Sequence, residues 1–423
     1  MKILHFLGIG RIPKRPMTEA TGGTERTVLE VAKIQRRRGF DVTVASKADV
    51  YWRGEWEGVK LLHLAPSALT KAMTFGKVTG AHLPLALLIY KENFDLIHFH
   101  EYIKTRLFAG RRKIMHFHND PLPGCDAADL AREAPAYWVQ VGTSLRQIGV
   151  SDYVARRLRL AHDLAGRSAP PVNIVKIPNG VHTDAAPPQG RTEARKRMRE
   201  KLGLKDTDVV FLFSGALRPE KGVDFLARAF VRLLEQRPDV RLIIVGGGRL
   251  WIESGWLRSN PTDTWDRKVA DILAPAIKRE QAFLLGIVPP VEIMPYYAAS
   301  DVLVLPSMFQ ETFGLVILEA FSVGLPVVAF RSGGIPELVK DRENGILVDQ
   351  GDEEALYQAM RELAQDRALR ERLGAAGERI AQNYSWENTA DQINAVYLSA
   401  LETYPRRTGR LGRGSPDLGR EPQ

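Results

Sequence analysis

The sequence predicts an α/β fold made of two Rossmann-like parallel-sheet halves. Short apolar runs of strand length alternate with helix-length segments, and this alternation breaks once, in a Pro-Pro and Gly stretch near the middle, before resuming. A length of 423 residues with 44% hydrophobic composition suits two or three domains with substantial cores.

The first ten residues read as a buried strand: their apolar run is too short for a secretory leader and no small-residue cleavage site follows. Thr21-Gly-Gly-Thr-Glu25 then precedes an amphipathic helix carrying Val28, Leu29, Val31, Ala32 and Ile34. Strands are expected at residues 42–45, 96–99, 113–116, 138–142 and 174–177. The break falls at residues 183–190, where Pro-Pro and Gly interrupt any element. A second set of strands is expected at 209–214, 241–245, 283–285, 302–305 and 327–330. Ser385 caps a final helix whose apolar stripe is Trp386, Ala390, Ile393, Tyr397 and Leu401. The expected units are therefore residues 1–182, 191–380 and 385–404, with a polar, Gly- and Arg-rich tail, expected to be disordered, at 405–423.

Net charge is +9, but the basic residues lie in scattered clusters without aromatic interleaving, which argues against nucleic-acid binding. Arg36-Arg-Arg38 sits where a helix C-terminus would welcome positive charge. The single cysteine, Cys125, precludes an intramolecular disulfide, points to a reducing compartment and has no adjacent base to make it a nucleophile. The longest apolar stretch, residues 83–90, falls short of the roughly 18 residues that span a bilayer. A cytoplasmic protein, soluble or peripheral to the membrane, is expected.

The most informative segment is Glu311-Thr-Phe-Gly-Leu-Val-Ile-Leu-Glu319, in which two carboxylates bracket a turn that opens an apolar helix near Phe313 or Gly314. Unpaired amides at that helix start, with the dipole behind them, suit a diphosphate, and Gly314 permits close approach. Glu319 is then placed to accept ribose hydroxyl protons and Glu311, on the loop, to read sugar hydroxyls. A glycoside hydrolase would need its carboxylates about 5 to 9.5 Å apart, whereas fully helical spacing gives about 12 Å.

Around this segment the chain reads Tyr296-Tyr-Ala-Ala-Ser-Asp301-Val-Leu-Val-Leu-Pro-Ser307, Gly324-Leu-Pro-Val-Val-Ala-Phe-Arg-Ser-Gly-Gly334-Ile-Pro-Glu337 and Asn344-Gly-Ile-Leu-Val348. It closely resembles the nucleotide-sugar-binding half of glycosyltransferase family 4, most strongly over residues 205–350. The resemblance implies the GT-B fold, two Rossmann-like domains facing across a cleft, with the terminal helix crossing back onto the first. It also implies transfer from a nucleoside diphosphate sugar, of UDP or GDP type, with retention of configuration and without metal or cofactor. Thr312, Phe313, Gly314 and Leu315 join the two glutamates on the donor side. Residues 249–260 also resemble the subgroup associated with bacterial spore coats, which keeps a scaffold or coat protein without turnover as an alternative.

Ser214-Gly-Ala-Leu-Arg218-Pro-Glu-Lys221 lies at a strand's carboxyl end, where open α/β sheets bind ligands. Lys221 matches the family directly; the family's arginine after the glycine is replaced by Ala216, with Arg218 standing two residues on. Gly22 and Gly23 match its phosphate-approaching loop, and His118 matches the histidine that contacts the transferred sugar. His100 and Glu101 match acceptor-side positions. The acceptor implied is a carbohydrate, glycan or lipid-linked molecule, with contact to an anionic membrane surface as a further expectation.

Four histidines in His98-Phe-His100 and His116-Phe-His118 could in principle hold zinc, but no metal-type loop spacing accompanies them, and His98 and His116 read as core-facing. Asn179-Gly180 reads as a tight turn with glycine at positive φ, Gly246-Gly-Gly248 as a plain turn, and Ser332 to Glu337 as a capped helix start. A dehydrogenase would need a Gly-x-Gly-x-x-Gly fingerprint that the chain lacks.

Overall fold

The structure is a computed structural model that describes residues 1–8, 10–19, 21–65, 82–101, 108, 111–121, 144–165, 173–183, 188–248 and 263–403. Cys125, the expected strand at 138–142, residues 184–187 of the expected break, the segment 249–260 and the tail lie outside these residues.

The first half runs β1 (Lys2–Leu7), α1 (Gly23–Arg37), β2 (Asp41–Lys47), β3 (Trp52–Trp56), β4 (Val59–Leu64), α2 (His82–Glu92), β5 (Leu96–His100), β6 (Lys113–Phe117), β7 (Arg146–Gly149), α3 (Asp152–Ala165) and β8 (Ile174–Lys176). Its sheet has the order β3-β4-β2-β1-β5-β6-β7-β8 and is parallel except for the β3–β4 pair. That hairpin was not expected. It turns at Glu57 and Gly58, both at positive φ, so the signal was a Glu-Gly dipeptide between two alternating runs. Strand β7 likewise lies beyond the stretch where sequence placed one.

The second half runs α4 (Pro188–Lys201), β9 (Val209–Ser214), a 3-10 turn at Pro219–Lys221, α5 (Val223–Gln236), β10 (Val240–Val245), α6 (Asp263–Lys278), β11 (Ala282–Leu284), α7 (Pro290–Ala299) and β12 (Val302–Leu305). It continues with α8 (Leu315–Ser322), β13 (Val327–Phe330), α9 (Ile335–Leu338), β14 (Gly345–Val348), α10 (Glu353–Gln365) and α11 (Arg367–Ala381). Its sheet, β11-β10-β9-β12-β13-β14, is parallel throughout. Continuous apolar strands such as Val-Val-Phe-Leu-Phe in β9 are buried on both faces because helices cover both sides.

The last helix, α12 (Trp386–Thr403), leaves the second half and packs on the first. Trp386, Ala390, Ile393 and Tyr397 sit in a core with Ile3, Val31, Ile34, Leu96 and Ile114. Gly180 is where this crossing is closest: a Cβ there would stand 2.6 Å from the Trp386 backbone. Gly180 is not among the positive-φ residues, so the expected turn is corrected; glycine is needed there for proximity rather than for its dihedral freedom.

Each sheet has a point where strand order reverses, β1 between β2 and β5, and β9 between β10 and β12. Loops leaving the carboxyl ends at such points diverge and open a crevice.

Candidate active site

The two crevices face one another and form a cavity of about 400 Å³. Gly22, Gly23 and Arg26 enter it from the loop after β1 and the first turn of α1; Ser214, Gly215 and Ala216 follow β9, and Glu311 to Val316 follow β12. Gly23 brings the halves together, since a Cβ there would lie 3.1 Å from Leu315 Cδ1.

Helix α8 begins at Leu315, with Gly314 at its N-cap in the left-handed region at φ +95°. The carbonyl of Glu311 accepts a 2.6 Å hydrogen bond from the Gly334 amide, and a Cβ on Gly333 (φ +50°) would lie 2.0 Å from the same oxygen. The Ser332-Gly-Gly turn thus sets where Glu311 stands. The Glu311 side chain is not the free carboxylate that a loop placement suggests. Its Oε1 accepts from Lys221 Nζ and from Ser307 Oγ, both at 2.7 Å. Glu319 is engaged as well: Tyr297 donates its hydroxyl to Oε2 at 2.6 Å, and Arg26 Nη1 pairs with Oε1. Burial, with Glu319 beside it, holds the Tyr297 phenol well above its ordinary pKa, so it remains the donor.

Arg26 escaped the sequence reading, although a charged pair, Glu25-Arg26, follows the two glycines. The cavity walls therefore carry two cations and two carboxylates, joined as Arg26–Glu319 and Lys221–Glu311. Arg218, at the N-cap of the 3-10 turn, is not among the cavity-lining residues, and its guanidinium pairs with Glu220 at 3.2 Å. Two residues read as plain turns do line the cavity. Gly246, at φ +125°, lies so close to Gly215 that a Cβ would overlap its carbonyl oxygen, and Asn179 is buried with Oδ1 unpartnered.

From the first half, His118 and Asn119 reach the cavity, whereas His100 and Glu101 do not. Both of the latter are buried. Glu101, at φ +66°, accepts at Oε1 from the His118 amide at 2.9 Å and from Asn119 Nδ2 at 2.8 Å. Burial outweighs these bonds and raises its pKa to about 8. Two further contacts latch the halves: Thr312 Oγ1 donates to the His118 carbonyl at 2.6 Å, and the Glu337 carboxylate accepts from the Asp152 and Tyr153 amides, both at 2.8 Å, capping α3.

A family model described as "Glycosyltransferase Family 4" matches residues 21–185, and one described as "Glycosyl transferases group 1" matches residues 194–380. The chain belongs to the family 4 glycosyltransferases. This glycosyltransferase is 28% identical over 420 residues to a D-inositol 3-phosphate glycosyltransferase of Thermobifida fusca (strain YX), covering 92% of this chain and 91% of that protein. It is 36% identical over 262 residues to a GDP-mannose-dependent alpha-(1-6)-phosphatidylinositol monomannoside mannosyltransferase of Mycolicibacterium smegmatis, covering 59% of this chain and 63% of that protein. Among solved structures, Anabaena HepE in complex with UDP-glucose superposes with a TM-score of 0.72 at 21% identity, covering 94% of this chain and all of that one. Sucrose-phosphate synthase from Thermosynechococcus elongatus superposes with a TM-score of 0.76 at 21% identity, covering 95% of this chain and all of that one. These likenesses fix the fold as GT-B.

At the glycosyltransferase's cavity wall and behind it, five histidines are buried together, His5, His98, His100 and His116 on adjacent strands of the first sheet and His118 just past the end of β6. Nitrogens of His5, His98 and His100, and of His100, His116 and His118, lie close enough to suggest a metal site. The ring geometry favours hydrogen bonding. His5 Nδ1 meets His100 Nε2 at 2.9 Å and His100 Nδ1 meets His118 Nε2 at 2.9 Å, so these lone pairs face N–H groups rather than converging on a cation. His98 lies tilted against His100 at 4.2 Å, and His116 stacks 4.2 Å from His118. Burial lowers all five pKa values, His5 to about 4 and His118 to about 3, so the rings are neutral. Among the described residues, no helix is long and apolar enough to cross a membrane.

Proposed function

We propose that this glycosyltransferase takes a nucleoside diphosphate sugar, of UDP or GDP type, and transfers the sugar with retention of configuration to an acceptor hydroxyl. The observation that carries this reading is the pairing of two cations with two carboxylates at the start of α8, drawn from both halves of the chain. A diphosphate entering the cavity exchanges with the carboxylates: Arg26, Lys221 and the first amides of α8 meet the phosphate oxygens, and Gly22 and Gly23 leave room for them. Glu319 is then released to the ribose and Glu311 to the sugar, with His118 on the opposite wall. Thr312, Phe313, Gly314 and Leu315 shape the approach.

Negative charge grows on the diphosphate as the glycosidic bond breaks, so fixed cations stabilise the transition state more than the ground state. No general acid is required for such a leaving group. In front-face displacement the acceptor attacks from the side the diphosphate leaves, and its hydroxyl proton passes to the departing phosphate. Arg26 takes the place of the arginine that Ala216 lacks.

The names of the relatives direct the acceptor search to inositol phosphates and inositol lipids, and a lipid acceptor would place the enzyme at the cytoplasmic membrane face. Incubation with UDP- and GDP-sugars and a panel of inositol phosphates, read by mass spectrometry and by NMR of the anomeric proton, tests the reading. A product that keeps the donor's configuration supports it; an inverted product contradicts retention, and no transfer from any donor argues for the scaffold alternative.

A further inference from the structure

The buried histidines are connected in one direction, and that direction follows from hydrogen-bonding capacity. Gln35, on α1, donates from Nε2 to Asn394 Oδ1 of α12 at 2.9 Å, which turns its Oε1 toward His5. His5 Nε2 lies 2.8 Å from that oxygen. A carbonyl oxygen only accepts, so His5 carries its proton on Nε2, and a neutral ring then has a lone pair on Nδ1. That lone pair faces His100 Nε2, which must donate; His100 Nδ1 is therefore a lone pair, and His118 Nε2 must donate to it. The chain ends at His118 Nδ1, which is buried without a partner in the cavity wall.

We infer that Asn394, Gln35, His5 and His100 are positioning residues that fix His118 in a single tautomer, protonated at Nε2 and bearing its lone pair at Nδ1. The inference rests on the donor-site reading only for its consequence: a sugar hydroxyl that meets the His118 ring meets an acceptor. The tautomer assignment itself stands without it. The relay starts on the helix that crosses back from the second half, so the seating of α12 on the first sheet is coupled to the chemistry of the cleft wall.

The test is long-range nitrogen–proton NMR on full-length protein labelled with 15N-histidine. His5, His100 and His118 are expected to show protonated Nε2 and unprotonated Nδ1; an Nδ1 proton on any of them overturns the relay. Gln35→Met, which removes the terminal acceptor, is expected to give mixed tautomers at His118 and to lower the transfer rate about 10-fold or more, with nucleotide affinity unchanged. Gln35→Glu keeps an acceptor oxygen and is expected to restore both signals. Gln35→Met with an unaltered His118 spectrum and rate would also overturn the inference. Should the wild-type enzyme transfer no sugar, the functional reading fails while the spectrum still decides the relay.

Discussion

Arg26 and Glu319 stand 293 residues apart in the chain and form an ion pair that bridges the two halves at the cavity wall. Both side chains are largely buried, at 14% and 5% exposure, so neither is a casual surface contact. An anion bound in the cavity would have to compete with Glu319 for this guanidinium, so the proposed function makes Arg26 a donor ligand held in reserve.

Arg26→Ala is therefore expected to raise the donor KM about 10-fold or more, the worth of a charge-assisted contact to phosphate. Adding Ala216→Arg to that variant is expected to restore part of the loss, because residue 216 lines the same cavity. Steady-state kinetics in varied donor decides the matter; an unchanged KM in Arg26→Ala would remove the arginine from the site.

Glu337 caps α3 across the domain boundary. Glu337→Ala leaves the Asp152 and Tyr153 amides without their acceptors and is expected to cost about 1–2 kcal/mol in urea unfolding. If the midpoint does not move, water replaces the carboxylate and the contact is not a latch.

Gly333→Ala and Gly203→Ala separate strain from crowding. Both glycines have positive φ, at +50° and +65°, yet a Cβ on Gly203 meets nothing within 4 Å whereas one on Gly333 runs into the Glu311 carbonyl. Gly203→Ala is expected to lose only about 1 kcal/mol of stability. Gly333→Ala is expected to lose more and also to weaken nucleotide binding, measured by calorimetry, because the Glu311 loop must shift.

Stability should fall on both sides of neutrality. The buried histidines have folded pKa values below the unfolded value of 6.5, so their contribution is present above 6.5 and is lost as pH falls through their folded values. The drop from 6.5 to about 4 at His5 corresponds to roughly 3 kcal/mol. Glu101 has the opposite sign: its pKa is raised from 4.5 to about 8, so its contribution is present below 4.5 and is lost as pH rises through 8. Melting temperatures from pH 4 to 9 are expected to pass through a maximum. Glu101→Gln keeps the acceptor oxygen and is expected to abolish the alkaline decline; an unchanged alkaline limb would show that Glu101 is not its source.

The glutamate loop, Lys221 and the Gly22-Gly23 turn were legible in sequence as residues that gather at one cavity, because a strand-end loop of this kind carries a local signature of glycine, cation and helix start. Arg26 was not, since its meaning depends on a carboxylate 293 residues away. Arg218 lies near Lys221 in sequence, but it stands at the N-cap of the 3-10 turn and pairs with Glu220, whereas Lys221 ends that turn and pairs with Glu311. Asn179 and Gly246 resembled ordinary turns, and only the meeting of two sheets makes them cavity walls. His5 carries no signal alone on β1; its role appears when parallel pairing sets it beside His98 of β5.

The donor site is tested most directly by calorimetric titration of UDP, GDP and ADP into the wild-type protein and Glu319→Ala. The account predicts saturable binding of one of these nucleotides to the wild type, weakened at least about 10-fold in the variant. Binding of none of them, or equal binding by both proteins, would contradict it.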